Sequence, residues 1–492
     1  MKMNLNLIKK SGVLLCTMLT LFFTACIDGY DGDETWSSSV KNATLESPSA
    51  DGITVSFSAD GTEQTITWPL VLGAGGYEVT VYNMDDPENP KLVGEENQVV
   101  DGVSLTCPSM EDTRFMVKIK TLGNEKNNNK GSDVASEKKY DNLLPVYATI
   151  PDGSNLTEYF ATNPIPENGD AHLCYELVAG GNYTMTGHVN SYLTDVTFRG
   201  NKVDHANLKV TDGSFVSDGA GLQLKFIDID YSDFSGTVTS NAVILMNGTF
   251  NPIAEANLSE GGYVVVPTSS PIAIQSCKIT GLVQYLFFDN SKKYGIGTFL
   301  IKDCIIGQNT GAFGNALVRF GSGMVKDFTL TNSTLYNEVA PSAGSNRFMQ
   351  ISSGNVTSVK PAGETWASAS MTITNNTFYQ AGKGAQSFNS NGAMGRNTDK
   401  VTVQRNVFVD SYENGRIVSR FRRGNTTAAF SGGQNSQWYD GALFTGNQDK
   451  TADVNYFETD PQLTYLGNGV FQMKGAQQIA ARTGDPRWLP EE

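Results

Sequence analysis

Apolar and polar positions follow three different rhythms along the chain. Residues 13–23 are almost unbrokenly apolar, preceded by Lys2, Lys9 and Lys10 and ending in Phe23-Thr24-Ala25-Cys26. That stretch has the length of a signal-peptide core and is too short to span a bilayer, which takes about 20 apolar residues. From about 42 to 145 the rhythm becomes two-residue alternation in short runs, at 53–57, 64–68, 76–82 and 114–120, separated by turn residues. Alternation at this spacing predicts strands, and strands this short and regular predict a β-sandwich.

Beyond residue 148 a third rhythm appears, in which one short pattern recurs. It reads VTFRGNKV (196–203), IQSCKI (274–279), LIKDCII (300–306), TLTNSTLY (329–336), MTITNNTFY (371–379) and VTVQRNVFV (401–409). Alternating apolar residues lead into a polar bend, and a further apolar residue follows two places later. The bend residues are Asn201, Cys277, Cys304, Ser333, Asn376 and Asn406, with Ile229 in a degenerate copy; successive gaps are 28, 48, 27, 29, 43 and 30 residues. A basic period near 28 residues, enlarged in places by insertions, is the mark of a solenoid, and its local period of two makes the units strands. Stacked units would place the bend residues in one internal ladder, with Cys277 and Cys304 as adjacent, reduced thiols rather than a disulfide. A second strand column is expected at 243–246, 285–289, 317–321, 347–351 and 416–421.

Composition narrows the function classes. Fifty glycines and 18% charged residues fit a turn-rich all-β chain, and the net charge of −15 argues against a nucleic-acid partner. The cysteines lack CxxC spacing, so a zinc site is not expected. Only His172, His188 and His205 exist, too few for a histidine-rich metal centre.

The string ending at Cys26 resembles a lipobox, which implies cleavage after residue 25 and diacylation of Cys26. The acidic run at 28–34, within a tether of 26–41, is similar to the export signal of Bacteroidota surface lipoproteins. A lipid anchor in the outer membrane, with the chain exposed at the cell surface, is therefore expected. ITWPLVLGAGGYEVTVYN (66–83) resembles consecutive strands of a fibronectin type III module over 42–145, with Trp68 in the core and Tyr77 and Val79 facing it. The region 148–488 resembles the right-handed parallel β-helix lipoproteins of pectate-lyase-like fold found beside glycan-uptake systems, of domain-of-unknown-function type. AHLCYELVAGGNYTMTG (171–187) carries the resemblance at its start, and Asp460-Pro461-Gln462-Leu463 and Gly484-Asp485-Pro486-Arg487-Trp488 at its end. Trp488 is expected to cap the helix.

That fold hosts lyases, hydrolases, esterases and binders alike, so the chemistry must come from side chains. Arg319, Arg347, Arg416 and Arg420 fall in the second strand column, followed by Arg422 and Arg423. Stacked in one groove with Gln350, they would present bidentate donors to the carboxylates of an acidic, pectin-like glycan. Trp366, Trp438 and Tyr439 lie in long insertions and are candidate stacking platforms for sugar rings. Arg416, Arg420 and Lys302 are the candidate bases if the chain is a lyase. Asp228, Asp230 and Asp233 are the one carboxylate group with the character of a Ca²⁺ site, the candidate cofactor. The WxDH and RxPxxR patterns of pectate lyases are absent. Gly187-His188 is followed by Val189 instead of the second glycine of the polygalacturonase pattern, no RIK occurs, and no pectin-esterase set of paired Asp and Arg is found. A polysaccharide-binding surface lipoprotein, partnered by a SusC/SusD-like transporter, is accordingly the leading expectation. A uronate-cleaving lyase and a structural or adhesive surface protein are the alternatives.

Overall fold

The structure, a computed structural model, describes residues 40–59, 61–311, 313–342, 346–351, 355–382, 398–411, 416–421 and 428–491. The signal peptide (1–25), Cys26, nearly all of the acidic tether, Arg422 and Arg423 lie outside the described residues. No helix among the described residues is long and apolar enough to cross a membrane. The chain divides into two compact units, the division falling between Leu144 and Pro145.

The first unit holds a three-stranded antiparallel sheet (Thr54–Phe57, Glu63–Thr67, Ser104–Pro108) and a four-stranded one (Lys91–Val100, Tyr77–Asn83, Arg114–Thr121, Ser136–Asp141). Alternation gives each strand one apolar face, and those faces share one core of Ile66, Trp68, Tyr77, Val79 and Phe115. Trp68 is buried edge-on against Tyr77, with ring centroids 5.4 Å apart.

Among the described residues of the second unit the chain passes in turn through three sheets of 12, 10 and six strands. Within these three sheets pairing is parallel except where Ala442–Leu443 folds back on Ser436–Tyr439, and a separate antiparallel hairpin joins Leu463–Gly467 to Val470–Met473. The arrangement is compatible with a parallel β-helix. One rung runs through Val196–Arg199, Ala206–Asp212 and Phe215–Ser217, and the next through Leu222–Lys225, Ile227–Asp230 and Ala242–Met246. Inward side chains of all three sheets merge into one apolar core. The helix Leu156–Thr162, capped by the Asn155 side chain, seats Leu156 and Phe160 in that core.

The corner between the first and second sheets carries the repeat. Its first residue has a left-handed backbone in each rung, from Phe226 (φ 57°) and Ser276 (φ 48°) to Arg405 and Gln434 (both 55°). The residue after it is the buried bend. Asp228 pairs with Lys278 and Ala206 with Ile227, so Ile227 stands beside Cys277 in this column and Ala206 precedes it. The expected places of Ile229 and Asn201 are therefore corrected: Ile229 points into the core two residues further on. Asn201 sits in a loop, where its side chain accepts from the Val203 and Asp204 amides. The column continues past Asn406 to Asn435, a copy hidden by the glycine pair Gly432-Gly433 that replaces its apolar alternation.

Ladder bonds run along the column. Asn376 donates its amide and its side chain to Asn406 Oδ1 at 3.1 and 2.9 Å; Asn406 does the same to Asn435 at 3.0 and 2.9 Å. Asn435 donates in turn to Asp453. Cys277 and Cys304 are free, buried thiols, each close to backbone carbonyls. Burial pushes the Cys304 thiol up to about 12.

Candidate functional site

The outward face of the second sheet changes character along its length. Two columns of outward side chains run across successive rungs in register. One is Asn182, Asn207, Asp228 and Lys278, and the other is Thr184, Lys209, Asp230 and Thr280. Beyond them the columns turn to Ile305 and Thr334, and to Gly307 and Tyr336, and then to Thr377, Tyr379, Val407 and Val409.

The C-terminal segment covers this second, less polar half. Met473 and Leu489 pack on Val407 and Val409, with Trp438 and Trp488 at the edge of the same cluster. Hydroxyls anchor it: Thr334 Oγ1 donates to Asp485 at 2.6 Å, the Asp485 amide donates to Thr377 at 3.0 Å, and Gln478 donates to Ser436 at 3.1 Å. Trp488 thus lies on the flank of the coil, where its indole N–H meets Thr334 at 2.6 Å, and does not cap the end. Arg487 pairs with the buried Asp485 and donates to the carbonyls of Asp303, Cys304 and Asn332.

The polar half stays open as a trough of about 1040 Å³. Its groups are held by local contacts. Asp228 accepts from His205 Nδ1 at 2.7 Å, with both side chains only partly exposed. Asp230 accepts from the Ser232 amide and hydroxyl. Lys209 pairs with Asp233 at 2.5 Å, and this carboxylate holds the lysine pKa above its ordinary value. The hairpin of Leu463–Gly467 and Val470–Met473 closes one end. Its Tyr465 hydroxyl donates to Glu338 and its Gly469 lies against Ile305 and Tyr336. A Cβ on Gly469 would come within 2.7 Å of Ile305. A smaller cavity of about 370 Å³ adjoins the trough at Asp228 and Lys278 and reaches His205, Ser276, Asp303 and Arg487.

The residues singled out from sequence come together only in part. Asp228 and Asp230 line the trough, while Asp233 meets it only through its pair with Lys209, and the three are separately bonded carboxylates. Among the described residues no group of three His, Cys, Asp or Glu is placed to hold a metal ion. The arginine file is not formed. Arg319 is in register with Gln350, and Arg347 with Ala316, three residues away along the strand. Arg319 is bound to Tyr285 and Asn315 and lies 5.4 Å over the Phe288 ring.

Arg416 and Arg420 are not on a strand: 418–421 is a short helix, Val418–Phe421. The reason is Asp449, whose buried carboxylate accepts the successive amides of Ile417, Val418 and Ser419 at 2.6, 3.1 and 2.7 Å. A strand would aim those amides alternately to opposite sides. Arg416 reaches Gln448. Lys302 ends a strand of the first sheet, Tyr294–Lys302, away from the trough lining.

The stacking platforms are corrected as well. Trp366 is buried in the core with its N–H on Glu364 at 2.7 Å. Trp438 and Tyr439 belong to the strand Ser436–Tyr439; Trp438 packs under the C-terminal segment, and Tyr439 is half-buried beside Phe444. Sequence reasoning missed Asn182, Asn207, Lys209, Lys278 and His205. Their only signal is the outward half of the alternation, polar in four consecutive rungs.

Comparison with known proteins finds two families. A family model described as a domain of unknown function, DUF4992, matches residues 1–180, and one described as domain of unknown function (DUF4957) matches residues 181–338. The second match holds every strand of the trough floor, while the closing hairpin lies beyond it. No curated protein and no solved structure matches the chain.

Proposed function

We propose that this chain is a surface lipoprotein that captures polysaccharide in the trough on its second sheet. One observation carries the reading: amide, hydroxyl and charged groups recur in register at the strand spacing of about 4.8 Å. A surface whose hydrogen-bonding groups repeat at a constant interval suits a ligand that repeats too, and a glycan chain offers hydroxyls at such an interval. Asp228, Asp230 and Glu338 offset Lys209 and Lys278, so the trough has no cationic excess. That balance favours a neutral glycan over the pectin-like one that an arginine file would have favoured.

Lipidation at Cys26 and an outer-membrane, surface-exposed location complete the proposal, supported by the lipobox-like and acidic N-terminal strings. A SusC/SusD-like transporter is the partner such a protein would serve. The second unit is on this reading a right-handed parallel β-helix, the hand that parallel crossovers nearly always take. The first unit, with its sheets of three and four strands around Trp68, is a fibronectin type III-like spacer.

Affinity electrophoresis of the purified chain in gels containing xylan, β-mannan, β-glucan or pectin tests the reading. Retardation by at least one glycan, lost in an Asp228→Ala/Lys278→Ala double variant, is expected. Unaltered mobility in all of them overturns it. A second reading, β-elimination of a uronate glycan, is favoured by the His205–Asp228 pair one rung from Lys278, which places a base and a cation around the smaller cavity beside the trough. Release of unsaturated product, followed by ultraviolet absorbance, would replace binding with cleavage.

A further inference from the structure

The trough has one closed end, and that limits what can lie in it. Its floor is the segment 152–155 and the strands Asn182–Thr186, Ala206–Asp212, Ile227–Asp230 and Lys278–Leu282, joined side by side. At the following rung, Ile305–Gln308, Gly469 sits on Ile305 and the floor disappears beneath the hairpin.

The wall there is polar and braced. Asn468, exposed at the turn with φ 53°, forms its tip. Glu338 is held by the Tyr465 hydroxyl, whose pKa burial, with Glu338 beside it, pushes up to about 12. Tyr465 stacks on Tyr379 at 5.5 Å and packs on Tyr336 and Phe471 at 5.5 and 4.9 Å. Four aromatic rings behind a two-residue turn make a fixed stop, not a flap.

At the opposite end the floor runs out where the segment 152–155 passes into the helix Leu156–Thr162. Five rungs leave four spacings, about 19 Å of floor at a strand spacing of about 4.8 Å. A pyranose unit in an extended chain advances by about one such spacing.

Building on the glycan reading above, we infer that the trough recognises the end of a glycan chain, taking about four terminal units with the last one against Asn468 and Glu338. A groove open at both ends would accept any internal stretch of a polymer. This one admits a chain only with its terminus against the hairpin.

Calorimetric titration of the full chain with oligosaccharides of two to eight units, from xylan, β-mannan and β-glucan, tests the inference. Affinity is expected to rise with length to about four units and then stay level, and long polymer should bind in proportion to its chain ends rather than its mass. A bulky tag on one terminus of the tetramer should weaken binding by about tenfold or more, and the same tag on the other terminus should leave it within about twofold. In a Tyr465→Ala variant, checked for an unchanged melting transition, the discrimination between the two tags should shrink. Should the hairpin variant unfold, the tag comparison on the unaltered chain decides alone. Affinity that keeps rising to eight units, or indifference to both tags, would overturn chain-end recognition while leaving glycan capture standing. Failure of all three series to bind would overturn the neutral-glycan reading on which the inference rests.

Discussion

Asn406 carries more of the fold than its size implies. Itself fully buried, it accepts the amide and side chain of Asn376, and donates to Asn435, Ile373 and Gln404. Replacing it by alanine strands the Asn376 amide without water, at a cost of about 3 kcal/mol or more. Chemical denaturation of Asn406→Ala should show that loss; a loss below about 1 kcal/mol would mean the ladder is incidental.

The ladder ends on Asp453, whose Oδ2 is buried without a partner and whose pKa burial pushes up to about 7 from 3.8. An acid held protonated in the fold binds a proton that the unfolded chain releases near 3.8. Its contribution is therefore fully present below that value and is lost as pH rises through about 7. Asp453→Asn keeps the acceptor for Asn435 and removes the titration. It should stabilise the chain at pH 8 by about 2 kcal/mol and flatten the decline between pH 4 and 7, as read from urea unfolding at each pH. An unchanged slope would contradict this. Cys277, Cys304, Ser333, Asn376 and Asn406 were legible as a repeat. Ile227 and Ala206 were not, because apolar residues in a bend column look like any other buried strand residue.

At the scale of elements, the C-terminal segment is the piece the sequence conveys least. Several of its bonds to the second sheet join residues more than 100 positions apart, such as Asp485 with Thr377 and Trp488 with Thr334. Local alternation has no reach over that distance. The buried Asp485 depends on Arg487, which also caps three carbonyls of the corner between sheets. Burial raises the Asp485 pKa, and Arg487 opposes the shift. Arg487→Ala should cost about 2–3 kcal/mol and expose Trp488, seen as a red-shifted fluorescence spectrum. A native-like spectrum and stability would show that the segment is held by its apolar contacts alone. The helix Val418–Phe421 teaches the same lesson. Its sequence alternates well enough for a strand, and only Asp449, about 30 residues on, decides otherwise.

For the molecule as a whole, periodicity revealed the stacked parallel sheets but drew attention to a face other than the open trough. Arginine and tryptophan draw attention because they are chemically conspicuous, yet here Arg319 and Trp366 serve packing. The open trough is built from Asn, Asp, Lys and Thr, residues that anywhere else read as ordinary solvated positions; only their register makes them a surface. The central claim is that this surface, and not the arginine column, meets the ligand. Calorimetric titration of the best-retained glycan into two double variants, Asp228→Ala/Lys278→Ala and Arg416→Ala/Arg420→Ala, tests it most directly. Affinity should fall by about tenfold or more in the first and stay within about twofold in the second; the opposite pattern would contradict the account.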